Sequence, residues 1–431
     1  MRRTERHRLA DLRGEVTALY RANRLRGYAA WCQRDYDYVC PSIETYPYQW
    51  FWDSCFHAIV LAHIDVGRAE SELATLLANQ QPDGFVPHVT FWSRERPPDP
   101  AEPYQVAGRS PWLSAGMQPP ILAEAVAAVA VRGRGTAYLR EVLPAVRRFY
   151  DWCDRVRDPD GHGLISILDP HESGMDQTPA YDAYVGVAGD DPAAFEAAWR
   201  EVAESNARAG HRAPAIFRLD RFVVEDVAVN ALYAENQRVL ARLLAEVGDV
   251  EAAAQLRNRA DRTVATLLSR CWTPSDGDFH GLAGRAHAPL PAATIGGLLP
   301  VVLPDLPTEI VDRIAQRLED PADFRTTYPV PSVSLGNPAY RPAPSGGTVL
   351  WRGPSWINSN WYVARGLRRH GREDLAARIE DASLRLVERS GFREHYNPET
   401  GRGFGAHGFA WSALVLDMLV ARGERDKSVS P

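Results

Sequence analysis

Apolar residues recur at helical spacing over most of the chain, and this periodicity predicts a largely helical protein. The predicted helices cover residues 9–25, 55–79, 121–131, 136–156, 193–207, 224–247, 250–268, 308–318, 355–370, 373–390 and 408–420. Residues 224–247 and 250–268 meet at a Gly-Asp-Val sequence, which is typical of the short turn in a helical hairpin. A continuous βαβ pattern and a fixed-period sequence repeat are both absent.

The segments between these helices are long and rich in Trp, Tyr, Gly, Pro, Asp and His. They cover residues 41–52, 80–120, 158–184, 326–356 and 391–409. Loops longer than about 15 residues in a compact domain are usually functional. Eight of the twelve tryptophans lie in or beside these loops: Trp50, Trp52, Trp92, Trp112, Trp351, Trp356, Trp361 and Trp411. The pattern predicts one domain, from residue 1 to residue 431, with a pocket at one end of a helical barrel.

Composition removes several classes of function. The 49 basic and 55 acidic residues give a formal charge of −6, which offers no electrostatic basis for binding nucleic acid or an anionic membrane. Lys427 is the only lysine, so a Schiff-base lysine, a pyridoxal-phosphate site and a Walker-A lysine inside the fold are all excluded. No cofactor is expected.

The five cysteines form no CxxC pair, which argues against a disulfide framework or a thiolate zinc site. No run of 18 apolar residues occurs, and the first residues contain no apolar segment of the signal-peptide type. These features predict a reduced, cytoplasmic protein.

Four segments combine aromatic side chains with acidic or amide groups, which is how proteins usually hold sugars. In the first, residues 46–57, Trp50 and Trp52 are predicted to share a face, and Asp53 follows them. Asp53 is open to two interpretations, as part of a sugar-binding edge or as the N-cap of a helix that starts near Ser54.

The second segment, residues 168–182, places four carboxylates in one loop: Asp169, Glu172, Asp176 and Asp182. Loop carboxylates are usually solvated or cap a helix. Here Met175, Pro170, Pro179 and Tyr181 provide apolar surroundings that can raise a carboxyl pKa into the range of a general acid.

The third segment, residues 351–361, holds Arg352 and Asn358 among three tryptophans. The fourth, residues 391–412, contains Glu399 in the turn sequence NPETG, where it is expected to be exposed. Glu394 lies between Phe392 and Tyr396 and is the better candidate for a buried base. Two carboxylates from distant loops that meet in a sugar pocket are what glycoside hydrolysis requires.

As an ordered set, these segments resemble the clan of (α/α)6-barrel glycoside hydrolases. This clan includes family 63 α-glucosidases, family 37 trehalases and the bacterial mannosylglycerate and glucosylglycerate hydrolases. The resemblance extends from about residue 46 to residue 411, through QWFWDSCFH, QQPDGFVPH, HESGMDQTP, WRGPSWINSNW and FREHYNPETG. It implies an all-α single (α/α)6 barrel with its active site at the loop end. The compact length looks most like the mannosylglycerate and glucosylglycerate branch.

The resemblance also implies roles for individual residues. Asp176 matches the general acid of the clan and Glu394 its general base, while Trp50, Trp52 and Asp53 match the subsite for the sugar that is cleaved. Further pocket residues implied by the resemblance or by the aromatic segments are Tyr46, His88, Gln118, Arg218, Arg221, Trp351, Arg352, Trp356 and Trp411. A glycerate aglycone would need a cation, for which Arg218, Arg221 and Arg352 are the candidates.

The implied reaction is hydrolysis of a small α-glucoside or α-mannoside with inversion. The two carboxyl groups are then expected about 6.5–9.5 Å apart, with a raised pKa for the acid and an ordinary pKa for the base. A trehalase-like enzyme and an oligosaccharide α-glucosidase remain alternatives, as does a non-catalytic carbohydrate-binding protein. The choice between glucose and mannose is left open, as is the oligomeric state.

Two further motifs predict no site. Gly403, Gly405 and Gly408 form a GxGxxG string without a preceding predicted strand, so a flexible loop is expected rather than a dinucleotide site. Residues 158–163, DPDGHG, resemble the start of an EF-hand but lack its glutamate, so a tight turn is expected and no metal.

Overall fold

Helices dominate the structure, as the periodicity predicts. The computed structural model describes residues 3–92, 110–187, 191–343 and 350–429, so parts of the predicted loops 80–120 and 326–356 lie outside the described residues. The α-helices are α1 (Arg3–Ala22), α2 (Phe51–Leu61), α3 (Val66–Leu77), α4 (Leu122–Arg132), α5 (Thr136–Arg157), α6 (Asp182–Val185), α7 (Pro192–Arg208), α8 (Ala213–Leu219), α9 (Val227–Glu246), α10 (Val250–Thr266), α11 (Thr308–Glu319), α12 (Ile357–Arg369), α13 (Glu373–Ser390) and α14 (Leu414–Val429).

Six helical segments pack side by side in a closed ring. Going round it, α2 contacts α4, α4 contacts α9, and α9 contacts the 3₁₀ segment Leu299–Val302. That segment packs on α12, α12 on α14, and α14 returns to α2. A second helix lies outside most ring members: α3 on α2, α5 on α4, α10 on α9, α13 on α12 and α1 on α14.

Burial explains which helices form the inner ring. Every residue of α2 is buried, and α9 and α12 are buried over most of their length. The outer helices α3, α10 and α13 bury only one face. A helix that is apolar all round must be enclosed, whereas an amphipathic helix covers a core from one side. The two layers confirm the predicted (α/α)6 barrel.

The periodicity places two helix boundaries wrongly. The predicted helix 55–79 is in fact α2 and α3, separated by a turn that ends at Asp65, whose carboxylate accepts a hydrogen bond from the Arg68 N–H at 3.2 Å. The predicted helix 224–247 begins with a short strand, and α9 starts only after Asp226, which accepts from the Val229 N–H at 2.9 Å. In both cases apolar residues continue through the break, so the hydrophobic pattern does not register it.

Short strands between the helices are absent from the helical prediction. They are β1 (Arg24–Ala29), β2 (Arg34–Val39), β3 (Gln49–Trp50), β4 (Val89–Thr90), β5 (Val224–Glu225), β6 (Trp272–Thr273), β7 (Asp278–Phe279), β8 (Gly281–Ala283), β9 (Ala288–Leu290), β10 (Arg393–Tyr396) and β11 (Gly403–His407). They pair antiparallel as β1–β2, β3–β4, β5–β8–β9, β6–β7 and β10–β11. The first of these hairpins ends the predicted helix 9–25 early, at Ala22.

The five cysteines are all free thiols, consistent with the expectation of no disulfide framework. Among the described residues, no helix has both the length and the apolar character needed to cross a lipid bilayer.

Candidate active site

Three carboxyl groups from distant parts of the chain meet at the loop end of the ring. The pKa of Asp53 is raised well above its ordinary value by burial, and the negative charges of Glu394 and Asp176 raise it further. Asp176 likewise acts on the pKa of Glu394. Because such charge effects require proximity, the first, second and fourth sequence segments contribute to one site.

Glu394 is held by the β10–β11 hairpin. The pairing register shifts between Arg393 and His395, so Glu394 lies at a β-bulge, a feature that often redirects a side chain next to an active site. Its carboxylate accepts hydrogen bonds from the Ala406 N–H at 2.9 Å and from the Tyr46 hydroxyl at 3.2 Å. With 6% of the residue exposed, burial raises its pKa to about 7, against these two hydrogen bonds. The expectation of an ordinary pKa for this group is therefore wrong.

We expect replacement of Tyr46 by Phe to move the pH optimum of the reaction upward. The Tyr46 hydroxyl favours ionised Glu394, so its loss raises the pKa of Glu394. A bell-shaped profile is centred midway between the pKa values of acid and base, so the optimum follows. The measurement is kcat/KM against pH, with Tyr48→Phe as control, because the Tyr48 ring packs on Phe91 at 4.6 Å. An unchanged optimum in Tyr46→Phe would contradict the assigned contact.

Gly405 leaves the space that the Glu394 side chain occupies. Its φ of +67° lies in the left-handed region, and a Cβ there would collide with the Glu394 carboxylate and lie 2.7 Å from the Glu394 Cβ. The GxGxxG string is thus part of an ordered hairpin that positions a carboxylate, and the expected flexible loop is not observed.

Replacement of Gly405 by Ala is expected to lower kcat by about 100-fold, since a displacement of about 1 Å at a reacting group has that effect. Gly408→Ala is the matched control. Gly408 has a similar φ of +58°, but a Cβ there would meet only the Leu19 side chain, at an ordinary 3.5 Å. Both variants carry backbone strain, and only the first disturbs Glu394. Equal kcat values in the two variants would refute this role for Gly405.

Asp176 follows a 3₁₀ turn, Pro170–Ser173, that ends at Gly174. Gly174 has a φ of +69°, and a Cβ at this position would lie 2.5 Å from the Trp52 ring, so the turn packs directly on that indole. Burial raises the pKa of Asp176, as predicted for a general acid. The nearby His171 opposes this shift.

An Asp169–His171 pair beside Asp176 was missed in the sequence. The His171 Nδ1 lies 2.7 Å from Asp169 Oδ1, and the Asp169 carboxylate also accepts the His171 backbone N–H at 2.9 Å. Burial lowers the pKa of His171, but Asp169, followed by Asp176, raises it to about 9 overall. The imidazole is therefore cationic at neutral pH and adds a positive charge next to Asp176. Only the two-residue spacing of Asp169 and His171 could have suggested this pair.

Glu172 of the same turn is a structural anchor. It is 2% exposed and receives two hydrogen bonds of 2.7 Å from the Arg157 guanidinium. It also accepts the N–H groups of Met117 and Leu168, at 2.9 and 2.6 Å. The turn that carries Asp176 is thereby tied both to α5 and to the segment containing Gln118.

Substitution Glu172→Gln is expected to destabilise the protein by about 3–5 kcal/mol, because it leaves the Arg157 charge buried without a counter-charge. The measurement is the midpoint of urea unfolding. Glu141→Gln serves as control, since Glu141 makes the same two-pronged contact with Arg134 at an exposed position, where ion pairs contribute little. Similar midpoints for both variants would contradict the anchoring role.

Trp50, Trp52 and Asp53 are positioned by the start of α2. β3 pairs with β4, and the Trp52 N–H donates to the Gln118 side chain at 2.9 Å. The helix begins at Phe51, so Asp53 lies in its first turn and the N-cap interpretation is wrong. Its Oδ1 is buried and has no hydrogen-bond partner among the described residues.

The two tryptophans do not share neighbours, contrary to the prediction of a common face. Trp50 contacts His88 at 5.1 Å and Tyr46 at 6.0 Å between ring centroids. Trp52 contacts Trp411 edge-on at 5.4 Å. The reason is the strand-to-helix change between them, which alternates their directions less simply than a single strand would.

The third segment is joined to the strand that carries Glu394. The Ser355 and Tyr396 backbones exchange hydrogen bonds of 2.8 and 2.9 Å. Trp356 consequently stacks on Trp351 at 3.9 Å and on His395 at 4.7 Å, and meets Trp411 at 5.8 Å. The indole nitrogens of Trp356 and Trp411 are buried without a hydrogen-bond partner among the described residues.

Of the three candidate arginines, only Arg352 is buried, at 1% exposure. It forms an ion pair with Asp182 and stacks on Phe195 at 4.4 Å, while its Nε and Nη1 have no partner among the described residues. Arg218 is exposed and borders a surface depression that includes none of the other candidate residues. Arg221 forms an ion pair with Glu201 at 2.6 Å. The structure therefore does not bring Arg218 and Arg221 into the cluster.

The remaining predicted positions divide clearly. Glu399 is exposed, as predicted, and Asn397 accepts the N–H groups of Glu399 and Thr400 at 2.9 Å in the NPETG turn. His88 is buried, which lowers its pKa to about 3, and His171 lowers it further. A neutral imidazole is thus available beside Trp50.

Residues 46–412 match the family described as the mannosylglycerate hydrolase MGH1-like glycoside hydrolase domain. The mannosylglycerate hydrolase of Thermus thermophilus is 32% identical over 88% of this chain and 95% of its own length. Its crystal structure with Tris and D-glycerate has a TM-score of 0.83 at 30% identity, over 95% of this chain and 100% of that one.

Two further comparisons bound the relationship. The glucosylglycerate hydrolase of Mycolicibacterium hassiacum is 29% identical, over 87% of this chain and 92% of its own. The neutral trehalase of Saccharomyces cerevisiae has a TM-score of 0.61 at 13% identity, over 94% of this chain and 79% of that one, which shows a common fold alone.

Proposed function

Because the chain belongs to the mannosylglycerate hydrolase MGH1-like glycoside hydrolase family, we propose that it hydrolyses a small α-glycosylglycerate with inversion at the anomeric carbon. Mannosylglycerate and glucosylglycerate are the two candidate substrates, since relatives named for each cover most of the chain. The chain is thus a hydrolase of O-glycosyl bonds. A trehalase-like activity has weaker support, because the trehalase likeness extends to the fold only.

The observation that carries this proposal is the convergence of Asp53, Asp176 and Glu394 in a buried aromatic site, where the charges of Asp176 and Glu394 each raise the pKa of Asp53. A carboxyl group that is neutral near pH 7 can donate a proton, and one with a pKa near 7 is well matched to accept one.

Asp176 acts as the general acid. Its protonated carboxyl donates to the glycosidic oxygen while the bond from that oxygen to the anomeric carbon breaks, and glycerate leaves as the alcohol. The Asp176 carboxylate formed in this step gains from the adjacent His171 cation, whose pKa is about 9. The Asp169–His171 pair thus favours the proton transfer.

Glu394 acts as the general base. Its carboxylate removes a proton from a water molecule that attacks the anomeric carbon from the face opposite the leaving group. The hydrogen bonds from Ala406 and Tyr46 fix the carboxylate for this role. The product is a free sugar of β configuration.

Aromatic rings and unpartnered polar atoms provide the sugar and glycerate subsites. Indole faces cover the C–H patches of a pyranose, and the buried Asp53 Oδ1 is placed to accept from sugar hydroxyls. Arg352 is the candidate for binding the glycerate carboxylate, since it is buried and retains two donor nitrogens.

A substrate panel tests this function. Purified protein is given mannosylglycerate, glucosylglycerate, the two corresponding neutral glycosylglycerols, trehalose and maltose, and kcat/KM is measured for each. We expect one glycosylglycerate to exceed its glycerol counterpart by at least about tenfold, the ratio that corresponds to 1.4 kcal/mol from the carboxylate contact. Equal rates for the charged and neutral pair, or turnover of trehalose alone, would refute the glycerate assignment.

A further inference from the structure

We infer that the protein has a binding site for a divalent transition-metal ion of the zinc class, formed by Asp160, His162, Glu225 and His287. One ligand atom from each of these four residues lies within 4.8 Å of the others. Asp160 and His162 come from the DPDGHG turn after α5, Glu225 from β5, and His287 from the turn between β8 and β9. Because the contributing segments are far apart in sequence, the spacing of the DPDGHG motif could not reveal the cluster.

The side chains already approach the geometry of a metal site. The His162 Nε2 lies 2.9 Å from Glu225 Oε1, and the His287 imidazole lies 3.1 Å from Glu225 Oε2 and 3.4 Å from Asp160 Oδ2. Ligand atoms around a tetrahedral zinc ion, with bonds of about 2.0–2.2 Å, are about 3.4 Å apart. Small rotations of these side chains suffice to enclose one ion.

The ligand types select the class of ion. Two carboxylates balance the charge of a divalent cation, and two neutral imidazoles favour zinc, copper, nickel or iron over calcium and magnesium, which prefer oxygen ligands alone. Four protein ligands leave no position for a substrate, which is typical of a structural site.

The surrounding backbone is fixed before any ion binds. Thr266 donates its hydroxyl proton to the His162 carbonyl oxygen and Thr263 to that of Gly163, both at 2.6 Å, so α10 holds the turn. Glu225 is buried, with 5% of the residue exposed. Preformed ligands of this kind lower the entropy lost on binding.

The site adjoins the part of the chain that supports the catalytic acid. Asp226, next to Glu225, caps α9 and accepts a hydrogen bond from the Tyr181 hydroxyl at 2.7 Å. Ile167, at the start of the loop that carries Asp176, pairs with Val224. An ion bound to Glu225 would therefore brace β5 beneath this loop, and we expect its main effect on thermal stability.

The test uses metal-depleted full-length protein titrated with Zn²⁺, Ca²⁺ or Mg²⁺ by calorimetry, together with the Tm at each endpoint. We expect one Zn²⁺ per chain, a higher Tm with Zn²⁺, and weaker binding of Ca²⁺ and Mg²⁺. His162→Ala and His287→Ala should each weaken Zn²⁺ binding by at least about tenfold, the loss that removal of an outer hydrogen-bond partner of a ligand already causes.

Two controls locate the site. His280→Asn removes a histidine with a similar carboxylate partner, Asp276 at 2.9 Å, outside the cluster, and should bind Zn²⁺ as the wild type does. Asp176→Asn should also retain binding, which excludes the catalytic carboxylates as ligands. If the histidine variants do not fold, Co²⁺ bound to the wild type should give the visible absorption of a tetrahedral site with imidazole ligands.

The inference is refuted if the wild type binds no Zn²⁺, because the four groups then form only imidazole–carboxylate pairs. It is also refuted if both histidine variants bind as tightly as the wild type, or if Ca²⁺ binds more tightly than Zn²⁺. The result is independent of the proposed function, since no activity is measured.

Discussion

The Asp176→Asn variant should lose about 10²–10⁴-fold in kcat on a glycosylglycerate, because the amide cannot donate the proton that the leaving oxygen requires. The loss should be much smaller on an α-glycosyl fluoride, since fluoride departs with little assistance from an acid. The measurement is kcat on both substrates for the wild type and the variant. This contrast separates loss of a proton donor from general damage to the site.

Asp191→Asn is the matched control for this variant. Asp191 is an exposed carboxylate that caps α7 by accepting the Ala193 N–H at 3.0 Å. It should keep wild-type kcat on both substrates. An Asp176→Asn variant that loses equally on both substrates would contradict the role of general acid, and one that stays near wild type would exclude Asp176 from catalysis.

The Glu394→Gln variant should lose a comparable factor, but on both substrates, because attack by water needs a base whatever the leaving group. Its stability should not fall. Burial raises the pKa of Glu394 to about 7, which means that the folded state disfavours the ionised form above that pH. A neutral amide removes this penalty, so the Tm at pH 8 should equal or exceed that of the wild type.

Two further measurements assign the base. Glu399→Gln, an exposed glutamate in the connecting turn of the same hairpin, should behave as the wild type. In Glu394→Ala, azide should restore turnover and give the β-glycosyl azide, since the anion attacks without losing a proton and glycerate leaves as before. Failure of rescue, together with retention of activity on the fluoride, would contradict this assignment.

The fold could be predicted well from the sequence because its inner helices are apolar on all sides and its outer helices on one. Where the prediction failed, apolar residues crossed a backbone break, as between α2 and α3, or a two-residue strand was too short to produce a pattern. α1 and α14 pack against each other, so the ends of the described chain meet in one ring. From this closure we infer a single domain.

The catalytic candidates could be identified because aromatic and acidic residues are concentrated in the loops. Their supports could not. Glu172 and Arg157 are 15 residues apart and are indistinguishable in sequence from solvated charges, yet they form a buried pair. The contact of Gly405 with Glu394 depends on a hairpin register that no composition indicates. The choice among arginines failed for the same reason, since burial of Arg352 arises from the tertiary fold.

The stereochemistry of the first product tests the central claim most directly. Wild-type protein is incubated with the glycosylglycerate that it turns over fastest, and the anomeric protons are followed by NMR at times shorter than mutarotation, with Asp176→Asn run in parallel. The β-anomer of the sugar should accumulate first, together with glycerate, and only later equilibrate with the α-anomer. If the α-anomer appears first, hydrolysis proceeds with retention, and the assignment of Glu394 as a base acting on water is wrong.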